Sequence, residues 1–252
     1  MPGRSWGLVP YLVVALVAAV ILMLGGASPG ELVRYLAYEL SFVMLPGILA
    51  AQILLPRLPS VLLRLTIGAA IGLALELAAF IALAWLGLRP VFAAYPLVVV
   101  AAWLLIPIIR RRAGWANTRN VGDPLARQLP STSFSWHMSV GAIALLACGF
   151  AAISLFSATP PVTATEGPVY SPDLVFHLSL AAELTQRMPP TVPQVAGLPL
   201  VYHWFANAHL AAVSSISGVE LWPLVSRLFP LVWIPVVVIQ VATIASAISG
   251  KR

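Results

Sequence analysis

Charge is what this sequence has least of: Asp, Glu, Lys and Arg together make up 9% of its 252 residues. A soluble domain of that length needs far more polar surface, so the soluble globular class is excluded. Cysteine is nearly absent too. The single Cys148 rules out an intramolecular disulfide, and its place inside an apolar run says little about redox compartment. Internal repeats of the kind that mark transporters built from paired halves are also missing. Apolar residues fill the space instead, at 60% of the chain, which makes it a polytopic membrane protein. The formal charge of +6 does not point to nucleic acid, because the basic residues sit mostly in short connections between apolar runs.

Those runs predict an all-α integral membrane protein of about six spans, each near the ~20 residues that cross a bilayer core, with a long extracytoplasmic loop containing amphipathic surface helices. The first covers Leu8 to Leu24 and reads as a retained span rather than a cleaved signal, being longer than a usual signal core. The second, about Tyr35 to Leu55, contains Leu45-Pro46-Gly47, which should kink it. A third runs from Leu65 to Leu86 with Glu76 near its middle. A carboxyl at that depth is either a functional residue or a hydrogen-bonded packing residue. The fourth follows Arg89-Pro90 and ends at Ile109. The fifth covers His137 to Ser157, with His137 read as interfacial, and the sixth Pro223 to Ile248.

Between the fourth and fifth lies the arginine-rich stretch 110–135, with Arg110, Arg111, Arg112, Arg119 and Arg127 against Asp123 alone. It sets the orientation: a cytoplasmic linker, both chain ends cytoplasmic, and loop 158–222 extracytoplasmic. Ten of the fourteen Lys and Arg residues then fall inside. Trp6, Trp85, Trp115, Trp136 and Trp222 fall near span ends, as an aromatic belt does. The chain divides into a four-span module, 1–135, and a portion 136–252 made of a span, the long loop and a span.

The outer loop gathers three of the four histidines with Asp173, Glu183 and Arg187. Ser171-Pro172-Asp173 is a helix start, with a capping serine, proline at the first position and an acid in the first turn. On a helix from Pro172 to Met188, Leu174, Val175, Leu178, Ala181 and Ala182 share one face. Ser179, Glu183, Gln186 and Arg187 take the other, with Asp173 and His177 beside them. This is an amphipathic helix suited to lying along the membrane surface. Pro189, Pro190, Pro193 and Pro199 force an extended crossing, Gly197 allows a turn, and a second helix runs from Val201 to a stop at Gly218. On it His203, Asn207 and Ser214 align, while His209 lies roughly 120° away, too far round for a helical metal pair.

Two readings stand for each polar residue. Asp173 is a capping charge or a catalytic carboxylate. His177, His203 and His209 are interfacial rings, or Asp173, His177 and His203 converge on a metal or phosphate. Glu183 and Arg187 form a surface pair worth a few tenths of a kcal/mol, or they serve a substrate.

The sequence Asp173-Leu-Val-Phe-His177, a Pro-Pro pair, then Gly197-Leu-Pro-Leu-Val-Tyr202-His203-Trp204 resembles the first outer loop of bacterial GT-C-type membrane glycosyltransferases. The likeness covers about Ser139 to Val241 and is nearest to multi-span relatives of the dolichyl-phosphate-mannose and arabinosyl transferases. It implies transfer of a sugar from a polyprenyl-phosphate carrier at the outer face of the cell membrane, with Asp173 as base. His177, Glu183, Arg187, Tyr202 and His203 would contact substrate, and a divalent metal ion is a possible cofactor. Members of that family carry further spans after this loop. The resemblance therefore implies an amino-terminal part, or one chain of two, with membrane lipids and a partner chain as partners. A non-catalytic membrane scaffold and a transporter or flippase component are the rival readings.

Orientation is testable in a Cys148→Ala background with a membrane-impermeant thiol reagent on intact cells. Gln194→Cys should be labelled and Arg119→Cys spared. Labelling of both positions, or the reverse pattern, overturns the orientation.

Overall fold

A computed structural model describes residues 8–55, 61–106, 133–160, 171–195 and 197–249. Among these every regular element is helical, and four helices are long and apolar enough to cross a membrane: Pro29–Leu54, Val61–Trp85, Phe134–Ala158 and Leu221–Ser246. Two shorter apolar helices, Val9–Leu24 and Arg89–Leu105, accompany them. Arg4, Arg57, the arginines of the 110–135 stretch, Asp123, Lys251, Arg252, Trp6 and Trp115 lie outside the described residues.

The elements are α1 (Val9–Leu24), α2 (Pro29–Tyr38), α3 (Leu45–Leu54), α4 (Val61–Trp85), α5 (Tyr95–Leu105), α6 (Phe134–Ala158), α7 (Pro172–Gln186), α8 (Phe205–Ser217) and α9 (Phe229–Ser249). Helix α2 begins earlier than the hydropathy predicts, and the reason is local. Ser28 Oγ accepts from the Glu31 amide at 3.2 Å, while a Glu31 carboxylate oxygen accepts from the Ser28 amide at 2.8 Å. This reciprocal cap satisfies two free donors at once. It places Glu31 and Arg34, expected in a loop, on the helix.

The interruption expected at Pro46 is present as a π-turn, Glu39–Met44, joining α2 to α3 in one 26-residue helix. Proline has no amide hydrogen for the carbonyl four residues back and its ring crowds that carbonyl. A wider turn just before the ring relieves both problems. The same device recurs at π-turn Leu224–Leu228, followed at once by Phe229-Pro230 at the head of α9.

Helices α3 and α4 run antiparallel in near backbone contact. A Cβ added to Gly47 would lie 1.9 Å from the Gly68 carbonyl oxygen, and one added to Gly72 would lie 1.9 Å from that of Val43. Without a hydrophobic force between helices in lipid, such small-residue approaches supply the dispersion contact that holds helices together. Helices α1 and α6 run parallel. Tyr11 hydroxyl and His137 Nδ1 meet at 2.8 Å near their starts, and Arg227 joins Gly25 and Thr159 near their ends.

One buried cluster takes residues from both halves of the chain, including Leu22, Tyr35, Phe80, Leu184, Ala211 and Leu231. Its surprise is α8. Every residue from Asn207 to Val213 is buried, so this helix, expected to be an amphipathic surface helix, is packed on all sides against α2, α4 and α7. It also starts at Phe205 rather than Val201, which leaves His203 off the helix. Gly218 ends it as expected, with φ at 66° in the left-handed region that glycine adopts at no steric cost. The extended crossing is there too, closed by a single antiparallel bridge between Thr191 and Pro199.

Gly72→Ala should drive α3 and α4 apart and cost about 1–3 kcal/mol, the usual penalty of overpacking. Thermal unfolding in detergent checks this against Gly149→Ala. A Cβ at Gly149 meets nothing within 4 Å, so that variant should unfold at or above the parent temperature. Equal melting of the two variants would show that the α3–α4 contact is not close.

Candidate functional site

Helix α7 starts at Pro172 with Asp173 in its first turn, but Ser171 makes no side-chain cap, contrary to expectation. The face buried by α7 is Leu180, Ala181 and Leu184, while Val175 and Ala182, expected on that face, are exposed. The stripe covered by protein is rotated from the expected one because α7 docks on the buried helix α8.

Asp173 is exposed, and among the described residues nothing bonds to its carboxylate. One turn further, His177 is fastened to α8. The Asn207 side-chain amide donates to the His177 carbonyl at 2.9 Å and lies 3.3 Å from its Nδ1. With Nδ1 as acceptor, the neutral ring carries its proton on Nε2. Tyr202 stands edge-on to Phe176 at 5.3 Å and lies 6.3 Å from the His177 ring, and His203 stacks on Tyr202 at 4.0 Å. His177, Tyr202 and His203 therefore form one group of rings, with Asp173 about 6 Å along the helix from His177 by the helical rise.

Glu183 and Arg187 stand apart from that group. They pair at 3.0 Å, and the Thr191 hydroxyl donates to the same Glu183 oxygen at 2.6 Å. Both are committed to bracing the exit of α7 into the proline crossing, which is the surface-pair reading. Among the described residues no three His, Cys, Asp or Glu side chains are arranged to hold a metal ion.

A second polar cluster lies deep in the bundle. His209 of α8, 1% exposed, sits between two carboxylates. Its Nε2 is 3.0 Å from Glu39 Oε1 and its Nδ1 is 3.3 Å from Glu76 Oε2. Glu39 is 5% exposed and Glu76 fully buried. Tyr38 hydroxyl donates to Glu76 Oε1 at 2.5 Å, and Trp233 Nε1 donates to Glu39 Oε1 at 3.2 Å. Four segments meet here: α2 with its π-turn, α4, α8 and α9. Glu76 was visible in the sequence as a carboxyl at mid-span. Its partners were not, since His209 lies 133 residues away and Glu39 and Trp233 sit in other helices. The one available signal for Glu39 was a second acid inside an apolar run.

Arg227, also buried, sits where α1, α6 and α9 converge. Its guanidinium donates to the carbonyls of Gly25, Thr159 and Ser226 and to the Thr159 hydroxyl, with its carbon 4.5 Å over the Phe156 ring. A cation at helix carboxyl ends satisfies the last carbonyls and complements their partial negative charge.

The chain matches no family model, no curated protein and no solved structure.

Because Asn207 ties His177 to α8, Asn207→Ala should cost about 1–3 kcal/mol by leaving its partners unsatisfied. Chemical unfolding in detergent reads this directly. Unchanged stability would show that the α7–α8 contact does not depend on this amide.

Proposed function

We propose that this chain acts in GT-C-type glycosyl transfer, taking sugar from a polyprenyl-phosphate carrier at the outer membrane surface. The observation that carries the reading is the contrast between the two acids of α7. Glu183 is held by Arg187 and Thr191, whereas Asp173 is exposed and uncommitted, one turn from the His177–Tyr202–His203 rings.

In this mechanism the acceptor hydroxyl gives its proton to the Asp173 carboxylate as its oxygen attacks the anomeric carbon. The bond from that carbon to the phosphate oxygen breaks, and the polyprenyl phosphate leaves with the electron pair. The Nε2 hydrogen of His177, together with His203, offers donors to the leaving phosphate, which needs hydrogen bonds more than a strong acid. Tyr202 supplies an aromatic face for the sugar.

The proposed topology counts α1 and the Arg89–Leu105 helix as spans beside the four longer ones, giving six with both ends cytoplasmic. Three tethers support the alternation. Arg34 donates to the Gly218 carbonyl at 3.3 Å, Arg89 donates to that of Thr185, and Arg227 holds Gly25 and Thr159. The connections assigned to the outer face thus meet one another.

A second reading, a transporter or flippase component, is favoured by the Glu39–His209–Glu76 cluster. Ionisable groups inside spans usually mark ion or substrate pathways.

Asp173→Asn keeps the side-chain shape and removes the proton acceptor. Transfer from a polyprenyl-phosphate sugar, measured in native membranes that contain any partner chain, should fall by about 10²–10⁴-fold at unchanged protein level. Full transfer activity at normal expression would refute the catalytic role and leave the scaffold and transport readings.

A further inference from the structure

The buried cluster does something the glycosyltransferase reading does not use. We propose that Glu39, His209 and Glu76 form an exchangeable proton-binding site within the membrane body, and that the proton it gains or loses sits on Glu39 Oε2. This inference stands independently of the role of Asp173.

The argument is a count of donors and charges. Both nitrogens of His209 face carboxylate oxygens, at 3.0 and 3.3 Å. A neutral imidazole has one N–H, so one facing nitrogen would turn its lone pair on an ionised carboxylate. The arrangement therefore holds at least one proton beyond neutral histidine and two carboxylates, and with His209 as double donor the cluster still carries one negative charge. An uncompensated charge in an apolar interior costs several kcal/mol, so one further proton is favoured there.

The free oxygen locates that further proton. Glu76 Oε1 accepts from Tyr38 and Oε2 faces His209, while Glu39 Oε1 faces both His209 and Trp233. Glu39 Oε2 is buried and has no hydrogen-bond partner. The Tyr35 hydroxyl, one helical turn back, is likewise fully buried without a partner in hydrogen-bond geometry, and it is close enough to interact with the Glu39 carboxylate. The other three carboxylate oxygens each have a partner already, so a further proton fits on Glu39 Oε2 without displacing a hydrogen bond. The O–H bond forms there, the cluster becomes neutral, and the Tyr35 hydroxyl, a donor toward an ionised Glu39, becomes an acceptor for the new one. The proton comes from water and returns to it, with no change in redox state.

The other titratable groups around the cluster add no compensating charge. Tyr35 and Tyr38 come from α2. Tyr95 of α5, whose hydroxyl is also buried without a partner, lies within electrostatic reach of Glu76. Helix α9 contributes Phe229 and Trp233, which do not titrate, at 5.5 and 6.2 Å from the His209 ring. Because α2, α4, α8 and α9 all contribute, releasing the proton leaves a net charge at the junction of four segments. Release is thereby coupled to any movement that lets water reach Glu39.

Infrared difference spectroscopy of the purified chain in lipid nanodiscs tests this. Raising the pH from acid to alkaline should abolish a protonated-carboxyl stretch that shifts in heavy water. Glu39→Gln should lack the band. Tyr35→Phe, which keeps the ring packing, should keep the band but shift it, and Tyr38→Phe should leave its position unchanged. No band at any pH, or one that persists at every pH, overturns the proton site. A band that survives in Glu39→Gln, or that moves with Tyr38→Phe and ignores Tyr35→Phe, overturns the assignment to Glu39. If Glu39→Gln does not accumulate, the two tyrosine variants decide the question.

Discussion

The fold turns on one constraint: three ionisable side chains are buried together in a body that offers almost no other polar partner. A single acid at the centre of an apolar helix costs about 2.5–3.5 kcal/mol for membrane insertion. Glu39 and Glu76 add their costs on two different helices, and neither has a cation on its own helix in reach. His209 partners both at once, and to do so it must be brought between them. That requirement drags α8 into the bundle. A helix carrying Asn207 and His209 on otherwise small and apolar residues is too polar for lipid, yet its polar groups are satisfied when α7 and the two glutamates surround it. Burial of Asn207 through Val213 then follows from the same interaction, as does the docking of α7 above it.

Backbone irregularity serves this arrangement. Glu39 is the first residue of one π-turn and Arg227 lies inside the other. A π-turn shifts the register of all that follows by part of a turn, so a residue at its edge can point where the regular helix would not send it. In each case a proline soon after, Pro46 or Pro230, makes the wide turn cheap by having no amide hydrogen to lose. Prolines in these helices act less as breakers than as markers of where a buried charge is aimed.

This explains which features were legible in the sequence. Four of the expected spans were, because a run of apolar residues is a local property. So were the stop at Gly218 and the interruption near Pro46, each set by one or two residues, whereas His203 and His209 lie apart because only His209 is on the helix. The start of α2 was missed although its signal, Ser28 with Glu31 three residues on, is a local one. The burial of α8 was not legible, because its composition suits either a surface helix or a core helix until its partners are known. The stripe drawn on α7 differs from the one that protein covers for the same reason: Leu178 and Leu180 lie on different faces, and only the docking partner decides which is covered. Glu76 was recognisable as costly, but whether it was neutralised, and by what, depended on groups from three other helices. Contacts at separations of 133 and 170 residues leave no trace in local pattern.

The two polar regions also differ in kind, and the difference bears on function. Around Asp173 the groups are exposed, and the His177, Tyr202 and His203 rings adjoin one another without locking together, which leaves them available to an incoming molecule. Around His209 the groups are buried and bonded mainly to one another, with Glu39 Oε2 and the Tyr35 and Tyr95 hydroxyls left without a hydrogen-bond partner. Helix α8 connects the two, with Asn207 gripping the upper site and His209 the lower only two residues later. Successive helical residues point about 100° apart, so these two side chains face different neighbours, yet a shift of α8 along its axis cannot move one without moving the other. One helix thus carries both the contact with α7 and the contact with the two glutamates, and its burial serves both.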